Sequence, residues 1–408
     1  MTRAPRRLRR LGVAVTALVA LTLAACDPPP GEDAFYTPPA SLPSQPGSVI
    51  RSRPSIFTLD PVDRTQAAGI RSWQVLYRST NATGGANAVS GTVLVPEAPW
   101  TGLGPRPLVV YAPGTRGVGD DCAPSYTLAH GADYEMFFIK ALLDQGWAVT
   151  VSDYEGLGTP GQHTYVVGQS EGRALIDAAR ASTRLAGTGL SSSTPVAFYG
   201  YSQGGGAAGW AAQLESTYGS ELNVRATVAG GIPGDLTAVA EHLEGSPFVA
   251  LALLASIGLD AAYPELDLET LVNDRGRALL AETEGFCLTS VDGIGTVFET
   301  ALSSRGDYVT RDPLADPAWQ ARLAQNELGG TKPAAPVFQY HALFDEMVEY
   351  QQAADLRRSW CDRGGNVTWT ALPLAEHVLG LVEGQPLGIA WLSARFAGLP
   401  TFGNCLLP

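Results

Sequence analysis

From Ser72 onward the chain alternates short apolar runs with stretches whose apolar positions recur every three to four residues. The runs Ser72–Arg78 and Ala88–Pro96 read as an antiparallel pair joined through residues 81–87. Further strands are predicted at Pro107–Ala112, Trp147–Ser152, Pro195–Tyr201, Val224–Gly230, Pro336–His341 and Asn366–Ala371. Between them, helices are predicted at Tyr134–Gln145, Ser170–Arg180 with Ser170 as the N-cap, Ala207–Leu214 and Met347–Arg363. Strands alternating with helices imply a mainly parallel sheet flanked by helices, an α/β fold. Over residues 232–325 the alternation stops. Thr237–Leu243, Pro247–Leu259, Leu268–Glu284 and Ile294–Ser303 all read as helix, and Phe248–Ile257 is apolar all round. That block is expected to be a helical cap inserted over the carboxyl edge of the sheet.

The first 25 residues change the picture of where the protein works. Five arginines within the first ten residues precede an uncharged, mostly apolar run over Leu11–Ala25, which is the layout of an export leader. Fifteen residues are short for a membrane span. The run ends Leu23-Ala24-Ala25-Cys26, which looks like a bacterial lipobox, so Cys26 is expected to become the first residue and to carry a diacylglyceryl anchor. Residues 26–50 are Pro-rich and are expected to form an extended tether, of which Phe35–Pro39 is the part suited to touch the body. The body is then residues 51–231 and 326–408, large enough to bury one substantial core. An extracytoplasmic bacterial location follows, as a membrane lipoprotein or a secreted protein.

Charge and cysteines narrow the function classes. The formal charge is −13, and removal of five leader arginines leaves −18 on the remainder. Such a polyanion is a poor nucleic-acid binder and avoids basic docking on anionic lipid. Four cysteines follow Cys26: Cys122, Cys287, Cys361 and Cys405. An even number in an exported chain favours two disulfides, with three connectivities open. None has the spacing of a zinc site, so no metal and no cofactor is expected.

The chemistry centres on Gly200-Tyr-Ser-Gln-Gly204. Preceded by a buried strand and followed by a helix, this is the nucleophile elbow of an α/β-hydrolase, with Ser202 as the nucleophile. A serine hydroxyl needs a base to take its proton and a carboxylate to orient that base. The last two strands lead to Asp345 and His377, in the Ser…Asp…His order of this fold. Of the five histidines only His377 follows the last strand. Glu346 is the rival of Asp345, and Asp153, after an earlier strand, is the next candidate acid. The loop after Ala112 and the residue after the serine would supply the oxyanion-hole N–H groups. These are Thr115 (or Arg116) and Gln203.

The chain resembles the secretory lipases of the Candida lipase A type. The resemblance is carried by Phe35-Tyr-Thr-Pro-Pro39, Cys122-Ala-Pro-Ser125, Asp153-Tyr-Glu-Gly-Leu-Gly158, Gly200-Tyr-Ser-Gln-Gly-Gly205, Tyr340-His-Ala-Leu-Phe-Asp-Glu346 and Glu376-His377. It implies an α/β-hydrolase body with a helical cap, Ser202, Asp345 and His377 as catalytic residues, and the pairings Cys122–Cys287 and Cys361–Cys405. It departs from the fungal pattern in its tether and in the loop Gly114-Thr-Arg-Gly117. The expected function is a serine carboxylic-ester hydrolase, a lipase or esterase acting as a monomer on acyl-ester or lipid substrates. The alternatives are an acyltransferase or a thioester, cell-wall-ester or peptide hydrolase on the same residues, or a non-catalytic ligand-binding lipoprotein.

Overall fold

The computed structural model describes residues 28–283 and 285–406; the leader and the anchor residue Cys26 lie outside the described residues. Nine strands form one mixed sheet in the order β1-β2-β3-β5-β4-β6-β7-β8-β9. These are β1 (Val49–Ser55), β2 (Ile70–Thr80), β3 (Ala86–Pro96), β4 (Leu108–Ala112), β5 (Ala148–Ser152), β6 (Pro195–Tyr201), β7 (Asn223–Gly230), β8 (Val337–Ala342) and β9 (Val367–Leu372). The first three and the β3–β5 join are antiparallel. From β5 through β4, β6, β7 and β8 to β9 every pairing is parallel. The parallel strands are short and apolar because both of their faces are covered. Their carboxyl ends share one edge, which is where an open α/β sheet places its ligands.

The helices are α1 (Pro124–Thr127), α2 (Met136–Leu143), α3 (Gly168–Arg184), α4 (Gln203–Tyr218), α5 (Leu236–His242), α6 (Ala250–Ala262), α7 (Leu268–Leu271), α8 (Asp274–Thr283), α9 (Val291–Thr300), α10 (Pro317–Gln325), α11 (Tyr350–Asp362) and α12 (His377–Phe396). On one face of the sheet α3, α4 and α11 bury Ile176, Trp210 and Trp360 against Val110 and Phe198. On the other, α2 and α12 bury Ile139, Leu142 and Leu392 against Tyr111 and Tyr199. Helices α5–α10 lie between β7 and β8 with a small core of their own around Tyr263, Leu271 and Trp319. The disulfide Cys122–Cys287 joins this helical block to the body, and Cys361–Cys405 ties the tail to α11.

Three features depart from the sequence reading. Of the Pro-rich stretch expected as a spacer, only Phe35–Pro39 is expected from sequence to touch the body; the stretch is held against it from Pro30 onward. Phe35 and Tyr36 are buried, and Asp33 pairs with Arg53. The strand β1 begins at Val49; its arginines and Pro54 suit an edge strand but mask the alternation. Helix α12 was also not anticipated, because Gly380, Gly384, Pro386 and Gly388 punctuate it. A smaller correction concerns α3, which starts two residues before Ser170. The Ser170 hydroxyl bonds Glu155 instead of capping the helix.

The turn from β6 to α4 explains its glycines. A Cβ at Gly200 would fall on the Gly204 carbonyl, and one at Gly204 on the Ala112 carbonyl, so strand and helix meet backbone to backbone. Gly204→Ala must therefore push α4 off β4. We expect its urea unfolding midpoint to fall by the equivalent of about 2–3 kcal/mol at unchanged slope. A midpoint equal to the wild type would show that the turn has slack.

Candidate functional site

Four loops leave the carboxyl edge of the parallel strands and meet above β6. Ser202 sits between β6 and α4 with φ 58° and ψ −125°, a left-handed conformation that a residue with a side chain adopts only under constraint. Its amide donates to the Gly230 carbonyl at 3.0 Å, and its carbonyl accepts from Gly206, so the backbone is held on both sides. The side chain is left half-buried above the helix, with Oγ 2.9 Å from Nε2 of His377.

His377 opens α12. Its Nδ1 lies 2.9 and 2.8 Å from the two carboxylate oxygens of Asp345. Asp345 follows β8 and also accepts from the amides of Met347 at 3.0 Å and Val348 at 2.7 Å. Burial pushes this carboxyl up. The His377 hydrogen bond and charge, with His341 and the Val348 N–H, outweigh that effect and hold it below the ordinary carboxylate range. The structure thus brings Ser202, His377 and Asp345 into one hydrogen-bonded chain. The rival acid Glu346 meets the histidine differently: its carboxylate accepts from the His377 backbone N–H at 3.1 Å. Tyr201 donates to the His377 carbonyl at 2.7 Å, so the backbone is pinned on both sides of the His377 Cα. The sequence carried no signal for these two roles beyond the position of each residue next to a motif. Asp153 lies elsewhere, accepting from Ser90 and Ser125. Burial raises it to about 6.

The loop Pro113–Gly119 is fixed by a buried ionic group that sequence reasoning did not find. Arg116 grips Asp133 with two nitrogens at 3.0 and 2.9 Å and reaches Glu135 at 2.8 Å, beneath the Tyr134 ring. Glu135 also accepts from the Gly114 amide at 3.1 Å. The Arg116 side chain is spent on this group, and Thr115 lines the cavity beside Ser202. Its hydroxyl pairs with Tyr165 at 2.8 Å and its carbonyl accepts from Tyr134. Gln203 is the first residue of α4, and N–H groups there have no partner within the helix. Its side chain is locked: Nε2 donates to Glu171 at 2.7 Å and lies 3.2 Å from His163 Nε2. Burial raises Glu171 to about 8 and lowers His163 to about 4. Both therefore stay uncharged between those limits. His163 Nδ1 sits 2.7 Å from the Glu155 carbonyl, which assigns the proton to Nδ1 and leaves Nε2 to accept from Gln203.

Ser202 stands between two apolar spaces. A cavity of about 480 Å³ opens beside it, lined by Thr115, Tyr134, Phe138, Leu288, Met347, His377, Leu381 and Val382. A narrower cleft runs under the helical block, lined by Tyr165, Pro233, Leu236, Val239, Leu251 and Ala255. Leu251 and Ala255 lie in the all-apolar run of α6, which therefore faces the site as well as the interior of the helical block. An activated hydroxyl, a base with its orienting acid and helix-terminal N–H groups between two apolar walls can carry out acyl transfer from a hydrophobic ester.

Comparison with known proteins agrees with this architecture. The model of the family described as Secretory lipase matches residues 123–404. A "probable inactive lipase" of Mycobacterium tuberculosis is 32% identical over 396 residues, spanning 91% of this chain and 83% of its own. A secreted triacylglycerol lipase of Malassezia furfur is 30% identical over 398 residues, spanning 93% and 82%. The crystal structure of Candida antarctica lipase A in its closed state superposes with a TM-score of 0.81 at 29% identity, covering 92% of this chain and 88% of that one. A rice cell-wall-degrading esterase of Xanthomonas oryzae shares the fold at a TM-score of 0.69 and 21% identity. With a family model matched over most of its length and relatives at this level spanning nearly all of it, the chain belongs to the secretory lipase family and has the α/β-hydrolase fold.

Proposed function

We propose that the protein is a carboxylic-ester hydrolase in which Ser202 is the nucleophile, His377 the general base and acid, and Asp345 the residue that orients it. The observation that carries this reading is the unbroken chain from Ser202 Oγ through both ring nitrogens of His377 to the Asp345 carboxylate. His377 Nε2 takes the Ser202 proton as Oγ attacks the ester carbonyl, and returns it to the leaving alcohol. Water then releases the acyl group by the same route. The backbone N–H groups of Gln203 and Thr115 stabilise the oxyanion, each donor contributing about 3 kcal/mol. The apolar walls favour a long acyl chain over acetate. Export places the enzyme outside the cytoplasm, and Cys26 is the proposed lipid anchor; its acylation would appear as a diacylglyceryl mass on the N-terminal peptide.

A second reading is favoured by one observation, the "probable inactive lipase" among the relatives. In it the chain binds an ester or lipid without turnover. A fluorophosphonate probe separates the two: labelling of Ser202 supports the hydrolase, and a protein that folds and binds lipid but resists the probe supports the binder.

Ser202→Ala should lower turnover of p-nitrophenyl esters by a factor on the order of 10⁴ or more while leaving the circular dichroism spectrum unchanged. Asp345→Asn should cost about 10⁴-fold in kcat, because the amide favours the wrong imidazole tautomer. Retained activity in either variant would remove the mechanism. Glu171 yields a pH prediction. Its folded pKa of about 8 lies above the ordinary 4.5, so the stability it contributes is full at low pH and is lost as pH rises through that window. Glu171→Gln removes the ionisation and should gain stability relative to the wild type between about pH 5 and 8, read from urea midpoints. Parallel pH profiles for the two proteins would contradict this.

A further inference from the structure

The sheet ends short of the two proposed oxyanion donors. Ala112 and Gly200 are register partners on β4 and β6, and both strands end within a residue of them. Thr115 and Gln203 each lie three residues further on, one in a loop and the other at the start of α4. The loop from β5 to α3, residues 153–167, reaches both. Tyr154 Oη donates to the Pro113 carbonyl at 3.0 Å, and Tyr165 Oη lies 2.8 Å from Thr115 Oγ1. Two hydroxyls thus hold the stretch that carries Thr115. On the other side Gln203 Nε2 donates to Glu171 Oε1 at 2.7 Å and lies 3.2 Å from His163 Nε2. The same Glu171 oxygen accepts from the Val166 amide at 3.0 Å, which ties the Gln203 arm to the Tyr165 arm one residue away. All of the side chains in these contacts are buried.

The loop takes this shape against local preference. Tyr154 and Val166 have φ of 67° and 55°, a region that a bulky or β-branched residue adopts only when its surroundings impose it. Gly258 of α6 adds a support: a Cβ there would fall 2.3 Å from the Tyr165 carbonyl oxygen, so the helix rests on the Tyr165 backbone. The arm that holds Gln203 carries no charge. Burial keeps Glu171 protonated up to about 8 and His163 neutral above about 4, so neither opposes an oxygen that becomes negative during the reaction. Tyr154 belongs to Asp153-Tyr-Glu-Gly-Leu-Gly158, a motif with no member in the chain of Ser202, His377 and Asp345.

We infer that this loop is a clamp on the proposed oxyanion hole, in which Tyr154, Tyr165 and Glu171 are positioning residues: they keep the backbone N–H groups of Thr115 and Gln203 at the separation that one developing oxyanion requires. The inference rests on the ester-hydrolase reading above. It is tested on the purified protein with a water-soluble short-chain p-nitrophenyl ester. Tyr165→Phe removes a hydroxyl and leaves the ring in place; kcat should fall about tenfold with KM within about twofold. Tyr154→Phe should do the same from the Pro113 side. A trifluoromethyl ketone, whose carbonyl carbon bonds Ser202 Oγ and leaves an oxyanion in the same place, should lose affinity by the same factor. Thr115→Val keeps the donor N–H but deletes the partner of Tyr165. The double variant T115V/Y165F should therefore cost no more than the costlier single change. Glu171→Leu should lower kcat, and Glu171→Gln should recover most of it, since one carbonyl oxygen can accept from both Gln203 and Val166. Unchanged kcat in either tyrosine variant, a rise in KM alone, unaltered ketone affinity, or costs that multiply in the double variant would overturn the clamp. So would a Glu171→Gln variant as impaired as Glu171→Leu. Failure of the hydrolase reading looks different: the unmutated protein then shows neither ester turnover nor fluorophosphonate labelling, and the clamp falls with it.

Discussion

The contact between the first turn of α4 and the backbones of β4 and β7 constrains the rest of the site. Glycines at 200, 204 and 205 let helix and strands approach until carbonyl groups sit where side chains would be. This approach forces Ser202 into its left-handed turn and aims its hydroxyl away from the sheet. The same turn leaves the Gln203 N–H at a helix terminus directly after Ser202, where it is proposed to stabilise the oxyanion. The proposed nucleophile and one proposed oxyanion donor are thus two consequences of one packing contact. The cost of the strained residue is met by the apolar burial of α4 against the sheet, where Ala207, Ala208, Ala211 and Ala212 are inaccessible to solvent.

The proposed proton relay also needs its histidine fixed in position and still able to exchange a proton. The structure separates these demands. Tyr201 and Glu346 hold the backbone of His377, while its ring touches only Ser202 and Asp345 through hydrogen bonds. Two acids in adjacent positions therefore do different work, decided by one peptide of displacement along the loop after β8. Behind the elbow the same economy recurs without net charge. A neutral His163 and a protonated Glu171 both accept from one Gln203 amide, and burial keeps each in that state between about pH 4 and 8. A charged partner at either position would have to be desolvated beside the nucleophile, at a cost of several kcal/mol.

The meeting of Ser202, His377 and Asp345 was legible in the chain because each proposed catalytic residue follows a strand with a strong apolar pattern. β6, β8 and β9 announce themselves, and Ser202, Asp345 and His377 are read off their ends. What was missed is what local pattern cannot carry. The glycines at 380, 384 and 388 look like helix breakers, yet in space they make room for Tyr201, Tyr340 and Tyr199, so α12 can lie directly on the sheet. The buried group of Arg116, Asp133 and Glu135 joins residues whose charges suggest solvent, and only the fold reveals that they pair with one another. The Pro-rich segment has the composition of a spacer, and beyond the expected packing of Phe35 and Tyr36 on β2 and β3 it is held by the pairing of Asp33 with Arg53 and of Gly47 with Arg78.

That last point alters how the body relates to its surroundings. A free tether of some twenty-five residues would let the site sample a wide volume; a bound one fixes which side of the molecule lies beside the N-terminus. The bound segment leads to the Cys122–Cys287 bridge, where residues 286–288 pair with the loop of Thr115 and Arg116. The Arg116 carbonyl accepts from Leu288, and the Phe286 carbonyl from Val118. The strand-like strap that carries one lip of the cavity is therefore part of the support of the proposed oxyanion loop. A displacement of the helical block would be transmitted to that loop through backbone hydrogen bonds, and the disulfide resists it. The covalent bond that joins the helical block to the body thus sits in the same short segment that supports the loop of the proposed oxyanion donor.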